Sequence, residues 1–596
     1  MSPLETLLEQ GLAAHRRGDL AVAAAAYREV LASDPGQSLA QHHLGLIEFA
    51  DNPADGWPRL EAALAAADAR PDFSLNTAGL LARAGQDELA LACLQRGHAR
   101  FPADENLLAA LADALHQAGR DAEAVALCTP HPAPGLRLAL AAYNLAVALY
   151  HQGDPRAESY AQRALACCRR IEERLPPLNL LAALARRQGQ FAAGLGRIDQ
   201  ALALKPGDAD SLCHRAALLR DLFRLDEALI CIDRALKLKP DSATGWNVRG
   251  NILLDQRRDL DAALACFEQA LKLVPTHTEA RFNRGLCRLH LGELVAGFND
   301  YEARIQLPGA APLYPKHGLP RWQGEDLRGR RLLLVAEQGN GDTLQFIRLA
   351  QWLPADCEIH LLAQPGLVRL LARNPELASV RPLNAPPPAA DFVLPLLSLP
   401  QRLGLSLADL ARPWRRLNPD PADLAHWQQW LAALPRPRIG LVWAGDSRPQ
   451  DPESHRIDRR RSLHFRDFAP LLDLPGPQFI SLQKGAPAAQ ASDPRLLDPT
   501  ADLPDFAATA ALVSQLDLVI SVDTAVAHLA ANLGRPTWLL SRHDGCWRWL
   551  HHRDDSPWYP ELRLFRQTRP GDWPSVLASV RDALILEIGQ PQAFND

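Results

Sequence analysis

The sequence has one methionine, ten cysteines that never fall in a C-x-x-C pair, and only 6% aromatic residues. Its cysteines sit in alanine-rich helical contexts such as ALACCRR, where a thiol serves as a small core group. That argues against both a disulfide scaffold and a structural zinc site. No apolar run reaches the ~18 residues of a membrane-spanning helix, and the opening MSPLETLLEQGLAAHRRGDL lacks the basic-then-apolar order of a signal peptide. A cytoplasmic protein is expected. Positive charge is not in excess either: a net charge of −5 speaks against a protein built to grip nucleic acid or an anionic membrane. Lysine is scarce, with six residues among 64 basic side chains. Together with the lone methionine this fits the coding bias of a GC-rich bacterial genome.

What is present falls into two halves. A chain of 596 residues is too long for one core, and 47% hydrophobic with 22% charged residues is the profile of a globular protein. The first half repeats itself. Short polar turns recur at Gly18, at PADG, at Gly85, Gly119, Gly153 and Gly189, at LFRL and QRRD, and at Gly292, a spacing of roughly 34 residues. Each unit reads as helix, turn, helix, and the later units end in ALALKPGD, ALKLKPDS and ALKLVPTH, where Pro206, Pro240 and Pro275 stop the second helix.

This pattern resembles the tetratricopeptide repeat over residues 4–307, in about nine repeats. The match weakens around 38–71 and 106–136. Two-helix units cannot bury their own apolar stripes, so stacking is expected to build an all-α solenoid with a curved groove that suits a polypeptide partner.

After about residue 310 the pattern changes to strands alternating with helices. RRLLLVAEQGNGDTLQFIRLAQWL reads as strand, glycine-rich loop and helix, CEIHLLAQ and DFVLPLL as further strands, and GLVWAG, FISLQK, LDLVISVD and PTWLLS belong to a second set. Two Rossmann-like α/β halves follow, 326–425 and 436–590, joined through a proline-rich connector between residues 411 and 438. The final helix, about 571–590, is expected to cross back to the first half. Open parallel sheets bind ligands at the carboxyl ends of their strands.

Polar residues cluster at such ends. In SVDTAVAHLAANLGRP, Asp523 and Thr524 fall where a strand gives way to a helix, a place that attracts anions. Thr524 can donate to a phosphate, while Asp523 either caps the helix or accepts from sugar hydroxyls; the dipeptide alone reads equally as a cap. His528, four residues after Thr524, shares its helix face and can hydrogen-bond a phosphate oxygen.

The stretch SVDTAVAHLAANLGRPTWLLS, with AEQGNGDTLQF, GLVWAG, FISLQKG and WRWLHHRDDSPWYPELRLFRQ, resembles the lipopolysaccharide heptosyltransferases, which are glycosyltransferases of family 9 with the two-Rossmann GT-B fold. Joined to the repeats, it looks like the repeat-containing bacterial glycosyltransferases, some of which modify flagellins. The domain order is also similar to that of the protein O-linked N-acetylglucosamine transferases. The resemblance implies that Asp342, in the loop Gly339-Asn340-Gly341-Asp342, is the general base for an acceptor hydroxyl. The residues alone read Asp342 as a helix cap. Gly339 and Gly341 would let the backbone approach the substrates. GT-B chemistry implies a nucleotide-activated sugar as co-substrate and neither metal nor cofactor. Leaving-group charge would be met by Lys484 in FISLQKG and by Arg461 in the loop HRIDRRRS, where Arg456, Arg459 and Arg460 crowd the assignment. The tail tryptophans Trp547, Trp549 and Trp558 are expected mostly to pack.

The expected activity is sugar transfer to a protein acceptor held by the solenoid, flagellin included. Transfer to a glycolipid, or a non-catalytic scaffold that senses a nucleotide sugar, are the alternatives. Deleting residues 1–300 should spare glycolipid transfer and abolish protein transfer.

Overall fold

The computed structural model describes residues 2–257, 259–307, 318–448 and 451–588. The chain forms two compact units, Met1–His214 and Arg215–Asp596.

The first unit is a stack of helix pairs, beginning with Pro3–Arg17 and Leu20–Ser33. Ser2 opens the first helix with a capping box to Glu5, and Gly18 closes it at a φ of 84°, a conformation glycine reaches without strain. The irregular stretches seen in the sequence have visible causes. Helices Ser38–Asp51 and Pro53–Ala65 are joined by Asn52 alone, whose side chain accepts from the Ala54 amide. A Cβ on Gly56 would lie 2.2 Å from the Phe49 nitrogen, so that pair closes only around glycine. Near 106–136 the second helix shrinks to Asp121–Ala126. The chain after it is held by the Tyr160 hydroxyl, which lies within hydrogen-bond reach of the Cys128 and His131 carbonyls (3.1 and 2.9 Å).

The second unit begins with helical hairpins of the same kind: Leu225–Leu238, then Ala243–Gln256 with Leu260–Leu273, then Thr278–Leu291 with Leu294–Tyr301. Two parallel sheets follow. The first contains β1 (Arg331–Val335), β2 (Glu358–Ala363), β3 (Leu377–Pro382) and β4 (Phe392–Pro395) in the order β3-β2-β1-β4. The second contains β5 (Arg438–Val442), β6 (Gln478–Ser481), β7 (Leu496–Leu497), β8 (Leu518–Val522), β9 (Thr537–Ser541) and β10 (Leu562–Arg566) in the order β10-β9-β8-β5-β6-β7. Strands β8 and β9 are buried along their whole length, as parallel strands covered on both faces must be. An all-α solenoid followed by an α/β region is therefore the fold class.

Two further details complete the α/β region. Between the sheets, the helix Pro421–Leu431 is capped by Asp420 and buries Trp427. The helix Trp573–Ile588 departs from expectation. It does not return to the first sheet but buries Val576, Leu577, Val580 and Leu584 among Trp538, Phe565 and other residues of the second. Its apolar face is matched to that sheet. Residues 589–590 of the expected helix lie outside the described residues.

Candidate active site

The helices that follow β1 and β8, Asn340–Phe346 and Ala525–Asn532, pack against each other. Small residues allow this approach. A Cβ on Gly341 would fall 2.8 Å from His528 Cδ2 and 3.5 Å from its Nε2, so only glycine fits at 341. Asn532 ties the far ends together by donating Nδ2 to the Leu344 carbonyl (2.9 Å).

Asp342 stands at this junction. Its Oδ2 accepts from the Gly339 amide at 2.8 Å, completing a cap at the helix start. Its Oδ1 accepts from Nη2 of Arg548 in a close ion pair. Arg548 is 7% exposed. Burial disfavours its charge, but the Asp342 carboxylate, Cys546 and Tyr301 together outweigh this and hold the guanidinium above the ordinary arginine range. The sequence placed Arg548 within the aromatic tail without assigning it a partner.

His528 is buried beside the pair. Its ring stacks on Trp549 at a centroid distance of 5.1 Å, and its Nδ1 lies 2.9 Å from the Tyr559 hydroxyl. Burial lowers its pKa to about 4, partly countered by Asp523, so the imidazole is neutral at physiological pH. Burial likewise pushes the Tyr559 phenol up to about 12. Arg348 lies 4.7 Å from the Tyr559 ring centroid and donates to the Trp558 carbonyl at 2.8 Å. Arg348 also hydrogen-bonds the Tyr559 side chain; with its oxygen accepting there, the phenol donates its proton to Nδ1, which leaves the imidazole proton on Nε2, beside Gly341.

Thr524 is the N-cap residue of Ala525–Asn532, with extended backbone and no side-chain cap bond. Its hydroxyl instead meets Ser521 Oγ at 3.0 Å. Among the described residues, no side chain bonds the Asp523 carboxylate. Its carbonyl accepts from Arg461 Nη1 at 3.1 Å, while Arg461 Nε donates to Asp458 at 2.9 Å. Gly445 makes room for this guanidinium, because a Cβ there would sit 2.2 Å from Arg461 Nη2.

The structure thus brings together Gly339, Gly341, Asp342 and His528, and links Arg461 to the Asp523 carbonyl, next to Thr524, at the end of β8. Lys484 stands apart. It follows β6, two places from β8 in the sheet, is exposed, and donates to the Thr500 carbonyl at 2.6 Å. Among the described residues no hydrogen bond or ion pair joins it to the others. Two of the three neighbouring arginines are committed elsewhere, Arg456 to Asp221 and Arg460 to Asp544, each at 2.7 Å, and Arg459 is exposed. That separates Arg461 from the crowd in HRIDRRRS. The tail tryptophans pack as expected, with Trp549 and Trp558 almost wholly buried.

The arrangement offers a carboxylate, a neutral imidazole N–H and a helix N-terminus around one point. A carboxylate can take a proton from a hydroxyl, and the other groups can receive developing phosphate charge.

Comparison with known proteins bears on the fold and on the class of activity. The tetratricopeptide repeat family matches residues 5–38, 179–243 and 247–315. Glycosyltransferase family 9 (heptosyltransferase) matches residues 489–540, the stretch that contains Asp523, Thr524 and His528. Protein FlbA of Caulobacter vibrioides is 28% identical over 523 residues, covering 75% of this chain and 84% of its own. Among solved structures, the crystal structure of the APC/C hetero-tetramer Cut9-Hcn1 aligns over 48% of this chain and 57% of that one, at 15% identity and a TM-score of 0.32. The chain is a tetratricopeptide-repeat protein that carries a heptosyltransferase-like glycosyltransferase domain of family 9.

Proposed function

We propose that the protein transfers a sugar from a nucleotide-activated donor to a hydroxyl of a polypeptide held by its repeats. The observation that carries the reading is the meeting of the helix starts after β1 and β8, which sets Asp342 beside His528. In the step, the acceptor oxygen forms a bond to the anomeric carbon and Asp342 takes its proton. The bond from that carbon to the phosphate oxygen breaks, and the electron pair leaves with the nucleotide. The first-turn amides of Ala525–Asn532, the Thr524 hydroxyl and the His528 Nε2–H face the departing charge, with Arg461 bracing the Asp523 carbonyl. These groups supply the electrophilic help that a metal gives elsewhere, so no metal or cofactor enters the proposed step. A protein acceptor is favoured over a glycolipid by the number of repeats, since a small acceptor needs no long groove. Flagellin as that acceptor rests on the resemblance to repeat-containing flagellin glycosyltransferases.

The test is intact-mass spectrometry of flagellin and other abundant surface proteins from the native host, with the gene intact, deleted, or carrying Asp342→Asn. Loss of the same glycan mass in the latter two supports the reading. Unchanged protein masses with an altered lipopolysaccharide would move the acceptor to a glycolipid.

A further inference from the structure

Most hairpin turns of the repeats are closed by a left-handed glycine, and two are closed in the same conformation by a residue with a side chain. Gly18, Gly85, Gly119, Gly153, Gly189 and Gly292 all turn at positive φ, between 70° and 84°. At the equivalent turns the chain carries Phe223 (φ 59°) and Arg257 (φ 58°). These side chains occupy a backbone region that disfavours every residue with a Cβ. Strain retained at two adjacent hairpins calls for a compensating contact, and both side chains have one.

The Phe223 ring lies 4.7 Å from the Arg460 guanidinium, one residue from Arg461. Arg257 Nη2 donates to the Gly545 carbonyl at 2.8 Å and approaches that of Asp544 at 3.4 Å. Beside it, His543 Nε2 meets the Gln256 carbonyl at 3.1 Å. The Asp544 carboxylate accepts from Arg460 (2.7 Å) and Arg542 (3.0 Å). The chain then bends tightly at Gly545, where a Cβ would lie 2.7 Å from Ser541 Oγ. Three residues on is Arg548, which pairs with Asp342, and next is Trp549, which stacks on His528.

We propose that Arg257 is a positioning residue of the transfer site: from the turn of a repeat it holds the 543–549 segment so that Arg548 meets Asp342 and Trp549 backs His528. The last repeats are then a part of the reaction centre as well as a holder of the acceptor. This rests on the transferase reading of the site, and it assigns work to a residue outside the strand-end loops.

The test uses the full chain with Arg257→Gly, which removes the guanidinium while suiting the backbone. Hydrogen exchange followed by mass spectrometry should show the helices Ala243–Gln256 and Leu260–Leu273 as protected as before, with residues 541–550 exchanging about tenfold faster. Transfer to the native acceptor should fall about tenfold in kcat, with partial rescue by Arg257→Lys. Unchanged exchange at 541–550 overturns the proposal, as does faster exchange with undiminished transfer. If Arg257→Gly loses protection in the flanking helices, Arg257→Asn, which also tolerates this backbone, replaces it. If Asn loses that protection too, Arg257 serves the hairpin and the proposal fails. The transferase reading fails separately, if Asp342→Asn transfers at the wild-type rate.

Discussion

Arg548 donates to the carboxylate of Asp342 across 206 positions of sequence, joining the segment after β9 to the helix after β1. A buried guanidinium and a partly covered carboxylate stabilise each other only as a pair. Removing one leaves the other charged in a poorly solvated place, at a cost of about 3–5 kcal/mol.

Arg548→Ala should therefore lower the melting temperature of the Arg215–Asp596 unit and abolish most transfer. The double variant with Asp342→Ala should be less destabilised than the two single effects added together, by more than about 1 kcal/mol. Thermal melts of the four proteins check this, and strict additivity would mean that the ion pair contributes nothing.

How far this site was legible in the sequence depends on the range of each interaction. The repeats and strands were readable because periodicity is local. Glycine turns about 34 residues apart and unbroken apolar runs such as LLLVA depend on nothing distant. Asp342 as a cap and Thr524 at a helix start were readable for the same reason. Arg548 was not, since nothing near it announces a partner so far away. Arg461 stood in a crowd of arginines until the commitments of Arg456 and Arg460 separated it. Lys484 drew attention by its rarity, which says nothing of direction. One signal went unused. The turns LFRL and QRRD lack the glycine that most other turns carry, and a missing glycine at a left-handed position marks a residue engaged elsewhere.

Acid should act through His528. Its pKa is about 4 in the fold against 6.5 in the unfolded chain, so below pH 6.5 the unfolded state binds the extra proton. Its contribution to stability is whole above pH 6.5 and is lost progressively as pH falls through 4, by about 3 kcal/mol. His42 and His43 are lowered to about 3 and 4 by burial and add the same trend in Met1–His214. The difference between wild type and His528→Asn isolates the one group. The variant's stability should fall less steeply between pH 6.5 and 4, and parallel curves would refute a buried neutral imidazole.

Charge placement separates two candidate cations. Arg461 braces the carbonyl at the start of Ala525–Asn532, whereas Lys484 is exposed and bonded to Thr500. Arg461→Ala should reduce transfer by roughly a hundredfold, while Lys484→Ala should cost less than about tenfold. Steady-state rates with saturating donor measure both, and the reverse ranking would relocate the phosphate toward β6. Chelation by EDTA should leave the wild-type rate unchanged if these groups meet the leaving charge.

Truncation should give a different result from the one the repeats alone lead one to expect. Removing residues 1–300 would take away Arg257, whose guanidinium bonds the Gly545 carbonyl. It would also strip all but the last residue of the helix Leu294–Tyr301, which leads into Arg304. Glu337, at the end of β1, is almost fully buried and paired with Arg304 at 3.0 Å, and Gln338 donates to the Tyr301 hydroxyl at 3.1 Å. Phe298, lost with the helix, packs edge-on against both Phe346 and Trp547. A fragment beginning at 301 therefore keeps the charges but loses their apolar cover, and it should be recovered aggregated. A fragment of residues 215–596 keeps Phe223, Arg257 and Phe298 and matches a compact unit, so it should be soluble and melt cooperatively. Gel filtration and calorimetry of the two fragments decide the matter, and a monomeric, cooperatively melting 301–596 fragment would show that the last repeats are dispensable to the transferase fold.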